Sequence, residues 1–302
     1  MASLSQTADQ ITASIESSSV LDPSSGAVAG LLRKLLPAGP FKDLLSGTAL
    51  GHPAHPVLVM VPIGAWVSAS VLDLLGGARS RDAASTLVAV GIVGAVPAAL
   101  AGASDWSDTE GAEQRVGAVH ALLNDVALGV YAASWVARRK GDHGAGIRWA
   151  LFGAGALAAS GWLGGHLAYA LGVGVDTTAF LTGPADWTDV AADSDVVGTA
   201  PHGVTVGTVP LLLVRHEGQL VALVDRCTHR GAPLHEGTVV DGCIQCPWHE
   251  SRFALSDGHV VRGPATRPQP VFDVRVQEGR VQVRKALEHR TLRTNPVASG
   301  NE

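Results

Sequence analysis

The sequence predicts an α+β chain of two parts, a four-helix transmembrane bundle followed by an all-β domain, and three observations predict it. Of 302 residues, 46% are hydrophobic and 16% charged, against roughly 25% charged in an ordinary soluble chain. Four apolar runs, near 56–77, 84–104, 117–137 and 148–174, follow one another, and each approaches the roughly 20 residues that cross a bilayer core. Beyond residue 200 the pattern changes to short segments of alternating valine and polar residues around Glu-Gly turns, which is the period of strands. A soluble helical core explains the runs less well, because four in succession leave too little polar surface.

In chain order, residues 1–50 form a polar segment with a short interfacial helix. The Ser-rich stretch 1–27 has little periodicity and reads as mobile or partly helical. It lacks a basic region followed by an apolar run, so it does not read as a cleavable signal peptide. Leucines 31, 32, 35, 36, 44 and 45 alternate with Arg33, Lys34 and Lys42, broken by Pro37 and Pro40, a composition suited to a membrane surface. Residues 51–175 hold the four helices, with Asp73 and Asp125 among their few charges and Gly161 and Gly165 as a GxxxG pair that would let two helix backbones approach closely. Residues 176–186 are a Gly- and Pro-containing linker, 187–285 the β domain, and 286–302 a tail that from Leu287 reads as disordered. Within the β domain, VPLLLVRHEGQLVALVD and VFDVRVQEGRVQVRKA each read as two strands around a turn.

The loops predict orientation. Arg79 and Arg81 lie in the first connection and Arg138, Arg139, Lys140 and Arg148 around the third, whereas the second, SDWSDTEGAEQR, is acidic. Basic loops stay cytoplasmic, which places both termini and the β domain on the outer side of the cell membrane; Arg33, Lys34 and Lys42 pull the other way. Arg138-Arg139 also reads as a twin arginine for export of a pre-folded domain, although ordinary positive-inside charge explains it more simply. The net charge of −5 gives no basic patch for phosphate backbones, so nucleic acid is excluded as a partner. The three cysteines, Cys227, Cys243 and Cys246, fall within twenty residues of one another, a clustering that points to metal rather than to a secreted disulfide scaffold.

The sequences RCTHRGAPLHEG and CIQCPWHESRF give Cys-x-His, sixteen intervening residues, then Cys-x-x-His. Two Cys and two His also satisfy zinc, but a zinc finger groups its cysteines in one block and its histidines in another. One Cys and one His per block resembles the Rieske family, over roughly residues 185–285 including GPATRPQP, which stands where that family has a third loop over the cluster. The resemblance implies an iron–sulfur-protein-like β fold and a [2Fe–2S] cluster, one iron held by Cys227 and Cys246 and the other by His229 and His249. Gly231 and Pro247 shape the two ligand turns. Ala232 and Trp248 stand where Rieske proteins of quinol-oxidising complexes carry a disulfide, and Phe253 where they carry a tyrosine bonded to a ligand sulfur; Ser251 stays in place as a donor to a bridging sulfide. Fewer donors imply a lower potential, toward roughly −150 mV, and greater similarity to the ferredoxin components of aromatic-ring dioxygenases. Cys243 reads as a small buried residue and His235 as a turn residue outside the ligand set.

GHPAHPVLVMVP with Asp105-Trp106 resembles an uncharacterised family of four-helix bacterial membrane proteins, which supplies no function. His52, His55, His120 and His166, with Asp105 and Asp108, are expected toward one membrane face, where histidine is costly and tends to be functional. Three readings fit: a b-type haem on His120 and His166, with Asn124 and Tyr169 beside them; a metal or quinone site using His52 and His55; or hydrogen bonding that fixes the packing. Because the β domain follows the fourth helix, it leaves the bundle on the histidine side, which allows electron exchange between the halves. The chain thus reads as a membrane-anchored electron carrier with redox-protein donor and acceptor. Its alternatives are a quinone- or haem-linked oxidoreductase subunit and a redox sensor. No substrate-transforming site is identified, and no soluble region remains for the mononuclear iron of a terminal oxygenase.

Overall fold

The computed structural model describes residues 4–286, and the chain divides into two compact units between Val175 and Asp176. The tail expected from Leu287 lies outside the described residues.

The first unit is helical: α1 (Leu4–Glu16), α2 (Asp22–Leu35), α3 (Pro40–Ser46), α4 (Ala54–Leu58), α5 (Met60–Leu75), α6 (Arg81–Ser107), α7 (Gly111–Arg139) and α8 (His143–Tyr169). Among the described residues, three stretches are long and apolar enough to cross a membrane: Ala54–Leu75, which joins α4 to α5, Gly77–Ser107 and Gly111–Arg139. Helix α8 matches them in length but falls short of the same apolar criterion. The sequence expectation of four spans is therefore met by three on both criteria and by the fourth on length. Leu74, Leu75, Val93 and Phe152 are exposed, a surface that lipid covers and water would not tolerate.

The four long helices run up and down, and they repeat. His55, Trp66 and Asp73 are followed 65 residues later by His120, Tyr131 and Arg138, and each residue meets its own counterpart. The His55 and His120 rings lie 6.4 Å apart edge to face. Trp66 stacks on Tyr131 at 4.1 Å and 5°. Arg138 Nη1 donates to Asp73 Oδ1 at 2.8 Å and its Nη2 to Oδ2. Spacings of 11 and 7 residues are three and two helical turns, so the three pairs form one column. The partner helices repeat with an offset of 62. A Cβ on Gly91 would strike the Trp66 ring at 2.2 Å and one on Gly153 the Tyr131 ring at 2.9 Å; one on Gly102 would meet His55 at 2.8 Å and one on Gly164 would meet His120 at 3.1 Å. The hairpins α4/α5–α6 and α7–α8 are thus related by a pseudo-twofold axis along the bundle.

One sequence expectation is corrected here and another is narrowed. Nothing lies within 4 Å of a Cβ built on Gly161, and on Gly165 only Tyr169 of the same helix does. The close helix approaches within the chain are made instead at Gly91, Gly102, Gly153 and Gly164, opposite rings that need the space. The polar stretch before residue 28, expected to be mobile or partly helical, is helical in α1 and the start of α2. Arg115 bonds the Asp22 carboxylate through Nε at 2.6 Å and the Glu16 carbonyl through Nη1 at 2.5 Å, which fastens α1 and α2 to α7. The Arg115 guanidinium holds the Asp22 carboxyl below the usual range. Lys42 of α3 is buried against Asp108 at 2.6 Å, and Arg33 donates to the Ser107 carbonyl at 2.6 Å. These basic residues therefore dock α2 and α3 on the end of α6.

The second unit contains two antiparallel sheets. One has the order β1 (Thr188–Ala192), β10 (Arg280–Lys285), β9 (Val271–Gln277), β4 (Gln219–Val224), β3 (Val209–His216), β2 (His202–Val206); the other has β5 (Thr238–Val240), β6 (Cys243–Gln245), β7 (Arg252–Ala254), β8 (Val260–Arg262). The two valine-rich hairpins are β3–β4 and β9–β10, turning at Glu217-Gly218 and Glu278-Gly279, all four at positive φ. Leu212, Leu223, Leu234, Ile244, Phe253 and Leu255 form one core with Cys227 and Cys246, so the loops that carry the Cys/His motif rest on packed apolar residues.

Candidate functional site

Two loops carry the Cys/His motif: the first connects β4 to β5, the second β6 to β7, and both are built alike. In the first, the Cys227 amide donates to the Ala232 carbonyl at 2.9 Å and the Gly231 amide to the Cys227 carbonyl at 2.8 Å. In the second, Cys246 donates to Ser251 at 2.8 Å and Glu250 to the Cys246 carbonyl at 3.2 Å. Each loop needs a left-handed residue four after its cysteine, and these are Gly231 at φ 79° and Glu250 at φ 61°. Glycine supplies that conformation freely. Glu250 is held in it by Arg262, which donates to its carbonyl at 2.8 Å and its carboxylate at 3.0 Å.

The turns aim amides at the sulfurs. Backbone N–H groups of His229 and Arg230 point to Cys227, and those of Trp248 and His249 to Cys246. The two sulfurs lie within hydrogen-bonding reach of each other. The Cys227 thiol bonds Cys246, which draws Cys246 down to about 7 and, with burial, pushes Cys227 up. Both cysteines are buried, whereas His229 and His249 are only partly covered and face each other edge to face at 5.1 Å.

A single zinc ion would need all four donors around one point. Here sulfur meets sulfur and imidazole meets imidazole, and among the described residues no three His, Cys, Asp or Glu side chains gather as around one ion. Two pairs of donors, thiolate inside and imidazole outside, fit a two-iron cluster with unlike irons.

Residues without a motif hold the loops. Gln269, almost fully buried, donates to the carbonyls of Val224 at 2.6 Å and Arg226 at 2.8 Å and accepts from the Thr228 amide at 3.3 Å, while Thr228 Oγ1 donates to Arg267 O at 2.9 Å. The proline-rich loop is thereby tied to the first ligand loop. Thr177 Oγ1 donates to the Cys227 carbonyl at 2.8 Å, so the segment read as linker takes part in the site. Ser251 is buried and its Oγ accepts the Ala265 amide at 3.0 Å. Phe253 is fully buried in the core that contains both cysteines. His235 bonds Asp225 through its amide at 2.6 Å and through its ring, and Cys243 is buried with its thiol pushed up by desolvation. Both stand apart from the ligand pairs.

In the first unit the four histidines do not gather as expected. His55 and His120 meet, His52 is exposed, and His166 bonds Glu16 through Nε2 at 2.6 Å. Asn124 does bond His120, at 3.1 Å, but Tyr169 is 92% exposed. The pairing of His120 with His166 has no geometric support.

Comparison with known proteins agrees with this organisation. Residues 186–278 match the family model of the Rieske [2Fe-2S] domain, and residues 51–177 match the family described as a predicted membrane protein, DUF2231. The chain is 41% identical over 98 residues to ferredoxin CarAc of Metapseudomonas resinovorans, covering 32% of this chain and 92% of that protein. It is 32% identical over 99 residues to the anthranilate 1,2-dioxygenase ferredoxin subunit of Burkholderia cepacia, covering 33% and 92%. Among solved structures, the complex of reduced oxygenase and oxidized ferredoxin in carbazole 1,9a-dioxygenase shares 40% identity over 34% of this chain and 97% of the matched chain, with a TM-score of 0.32. The chain belongs to the Rieske [2Fe–2S] family, as a membrane-anchored member in which an electron-carrying iron–sulfur domain follows a predicted membrane protein domain.

Proposed function

We propose that Cys227 and Cys246 bind one iron, and His229 and His249 the other, of a [2Fe–2S] cluster that passes single electrons between redox proteins at the membrane. When bound, the cluster supplies a one-electron couple. The chain's own residues do the rest. The four amides at positions 229, 230, 248 and 249 donate to the sulfurs and so stabilise negative charge there. Burial of the cysteines directs exchange to the imidazole side, where Pro247 and Trp248 are exposed, Trp248 by 56%. A flat aromatic beside His249, 6.4 Å from its ring, suits contact with an oxygenase or another redox protein, as the name of the dioxygenase ferredoxin relative suggests.

The observation that carries this reading is the two-by-two pairing of donors on twin loops. The test is substitution in the full-length protein. Cys246→Ser and His249→Ala should each abolish the visible and EPR signals of the cluster, while His235→Ala keeps them. Retention of the signals in both ligand variants would overturn the assignment.

The same reading places the iron–sulfur domain on the outer face. Arg138 is drawn into the bundle by Asp73, leaving Arg79, Arg81, Arg139, Lys140 and Arg148 as the positive charge at one end, and α8 returns the chain to the other end. A carboxy-terminal alkaline phosphatase fusion should be active and a fluorescent-protein fusion dark; the reverse pattern places the domain inside.

A further inference from the structure

We propose that His55 and His120 form a metal centre on the pseudo-twofold axis of the membrane half, binding one first-row transition-metal ion, bare or carried in haem, through their two Nε2 atoms. This stands apart from the iron–sulfur site, in the other unit.

The two histidines are held by the same device. His55 Nδ1 lies 2.8 Å from the Ala98 carbonyl and His120 Nδ1 lies 2.8 Å from the Ser160 carbonyl. A carbonyl only accepts, so each Nδ1 carries the proton and each Nε2 presents a lone pair. Donation of the far ring N–H to a backbone carbonyl is the usual support of a metal-ligating histidine, fixing its tautomer and raising its basicity. Four residues beyond each carbonyl stands the glycine, Gly102 or Gly164, that makes room for the ring. The two ring centres lie 6.4 Å apart with their planes at 79°, a separation that holds one ion when both Nε2 atoms turn toward it, since each metal–nitrogen bond takes about 2 Å and each ring centre lies about 1 Å beyond its nitrogen.

The repeat itself separates this pair from packing. Of the three axis positions, two have become complementary partners, Trp66 with Tyr131 and Asp73 with Arg138. Only the first keeps the same residue in both halves. Packing is served by unlike partners, as the other two positions show, whereas a shared ion asks the same donor of both sides. Asn124 Nδ2 lies 3.1 Å from His120 Nε2 and donates to its lone pair, and its counterpart in the first half is Val59. Binding therefore exchanges one neutral hydrogen bond for coordination.

The test uses the full-length chain carrying Cys246→Ser, His229→Ala and His249→Ala as the parent, so that neither cluster iron nor metal on the remaining donors of that site is counted. Elemental analysis and a pyridine haemochrome should find about one equivalent of metal or haem, as isolated or after addition of Cu(II), Zn(II) or haemin. That equivalent should fall at least tenfold in His55→Leu and in His120→Leu and persist in His166→Leu. A haem band or a bare ion both support the centre and identify which form it takes. Absence of any one-equivalent uptake, or its retention in both histidine variants, overturns the proposal. Should the leucine variants not fold, one equivalent of Cu(II) in the metal-stripped parent carries the test: pulsed EPR coupling to two imidazoles supports the centre, and coupling to one or none removes it.

Discussion

The buried Asp73–Arg138 pair gives the sharpest test of the pseudo-twofold axis. The side chains are 3% and 1% exposed, and removing one partner of such a pair costs about 3–5 kcal/mol because it strands the other charge. Arg138→Met should lose that much. On a twofold axis the two positions are interchangeable, so Asp73→Arg with Arg138→Asp should restore the pair in mirror arrangement. Two neighbours break the symmetry. Arg138 Nε also bonds Ser134 Oγ at 3.2 Å, whereas position 69 is alanine, a loss of about 1 kcal/mol. A Cβ on Gly146 would lie 2.6 Å from Arg138 Cγ, whereas its counterpart is Ala84, so the swapped arginine is overpacked by about 1–3 kcal/mol. Adding Ala84→Gly relieves that crowding. The triple variant should then sit about 1–2 kcal/mol below the parent, well above Arg138→Met, in reversible unfolding in mixed micelles. A triple variant no more stable than Arg138→Met would refute the axis.

Other expectations follow from single residues. Phe253→Tyr should place a hydroxyl near a ligand sulfur and raise the cluster potential by about 40–60 mV, since a hydrogen bond worth about 1–1.5 kcal/mol to the more negative reduced state converts at 59 mV per tenfold; voltammetry showing no rise removes the assigned role of that position. Gly91→Ala and Gly153→Ala should each destabilise the bundle by about 1–3 kcal/mol by striking Trp66 or Tyr131, whereas Gly155→Ala, with open space around it, should be neutral in the same unfolding assay. Thr177→Val removes the donor to the Cys227 carbonyl and should cost about 1 kcal/mol, read as faster bleaching of the cluster in chelator.

The sequence revealed what chemistry or periodicity forces into a pattern. A cluster with two sulfur and two nitrogen donors requires Cys and His at short spacing, so Cys227, His229, Cys246 and His249 stand out. The β3–β4 and β9–β10 hairpins announce themselves by alternating valines around Glu-Gly, and the long helices by apolar length. The repeat was hidden for a physical reason. A residue on a twofold axis meets its own counterpart, so a charge there must face its opposite and a large ring a different ring; Asp73/Arg138 and Trp66/Tyr131 erase the identity that a sequence comparison would seek. What remains at the common offset is His55/His120, Leu58/Leu123, Val61/Val126, Gly64/Gly129, Val71/Val136 and Gly76/Gly141. The sequence leaves residues 1–27 between mobile and helical because polar contacts of Glu16 and Asp22 with His166 and Arg115 hold the end of α1 to the bundle, and pairing between distant residues leaves no local period. Gln269 and Thr177 act through backbone carbonyls, which any polar residue at those places could have addressed.

The Rieske match of the second unit implies a one-electron centre there. An EPR-monitored redox titration of the detergent-purified full-length protein addresses it most directly. A Rieske-type signal that appears on reduction, titrates as one electron toward the roughly −150 mV end of the family range and vanishes in Cys246→Ser is the expected result. A chain that holds stoichiometric zinc and gives no such signal at any potential would contradict it.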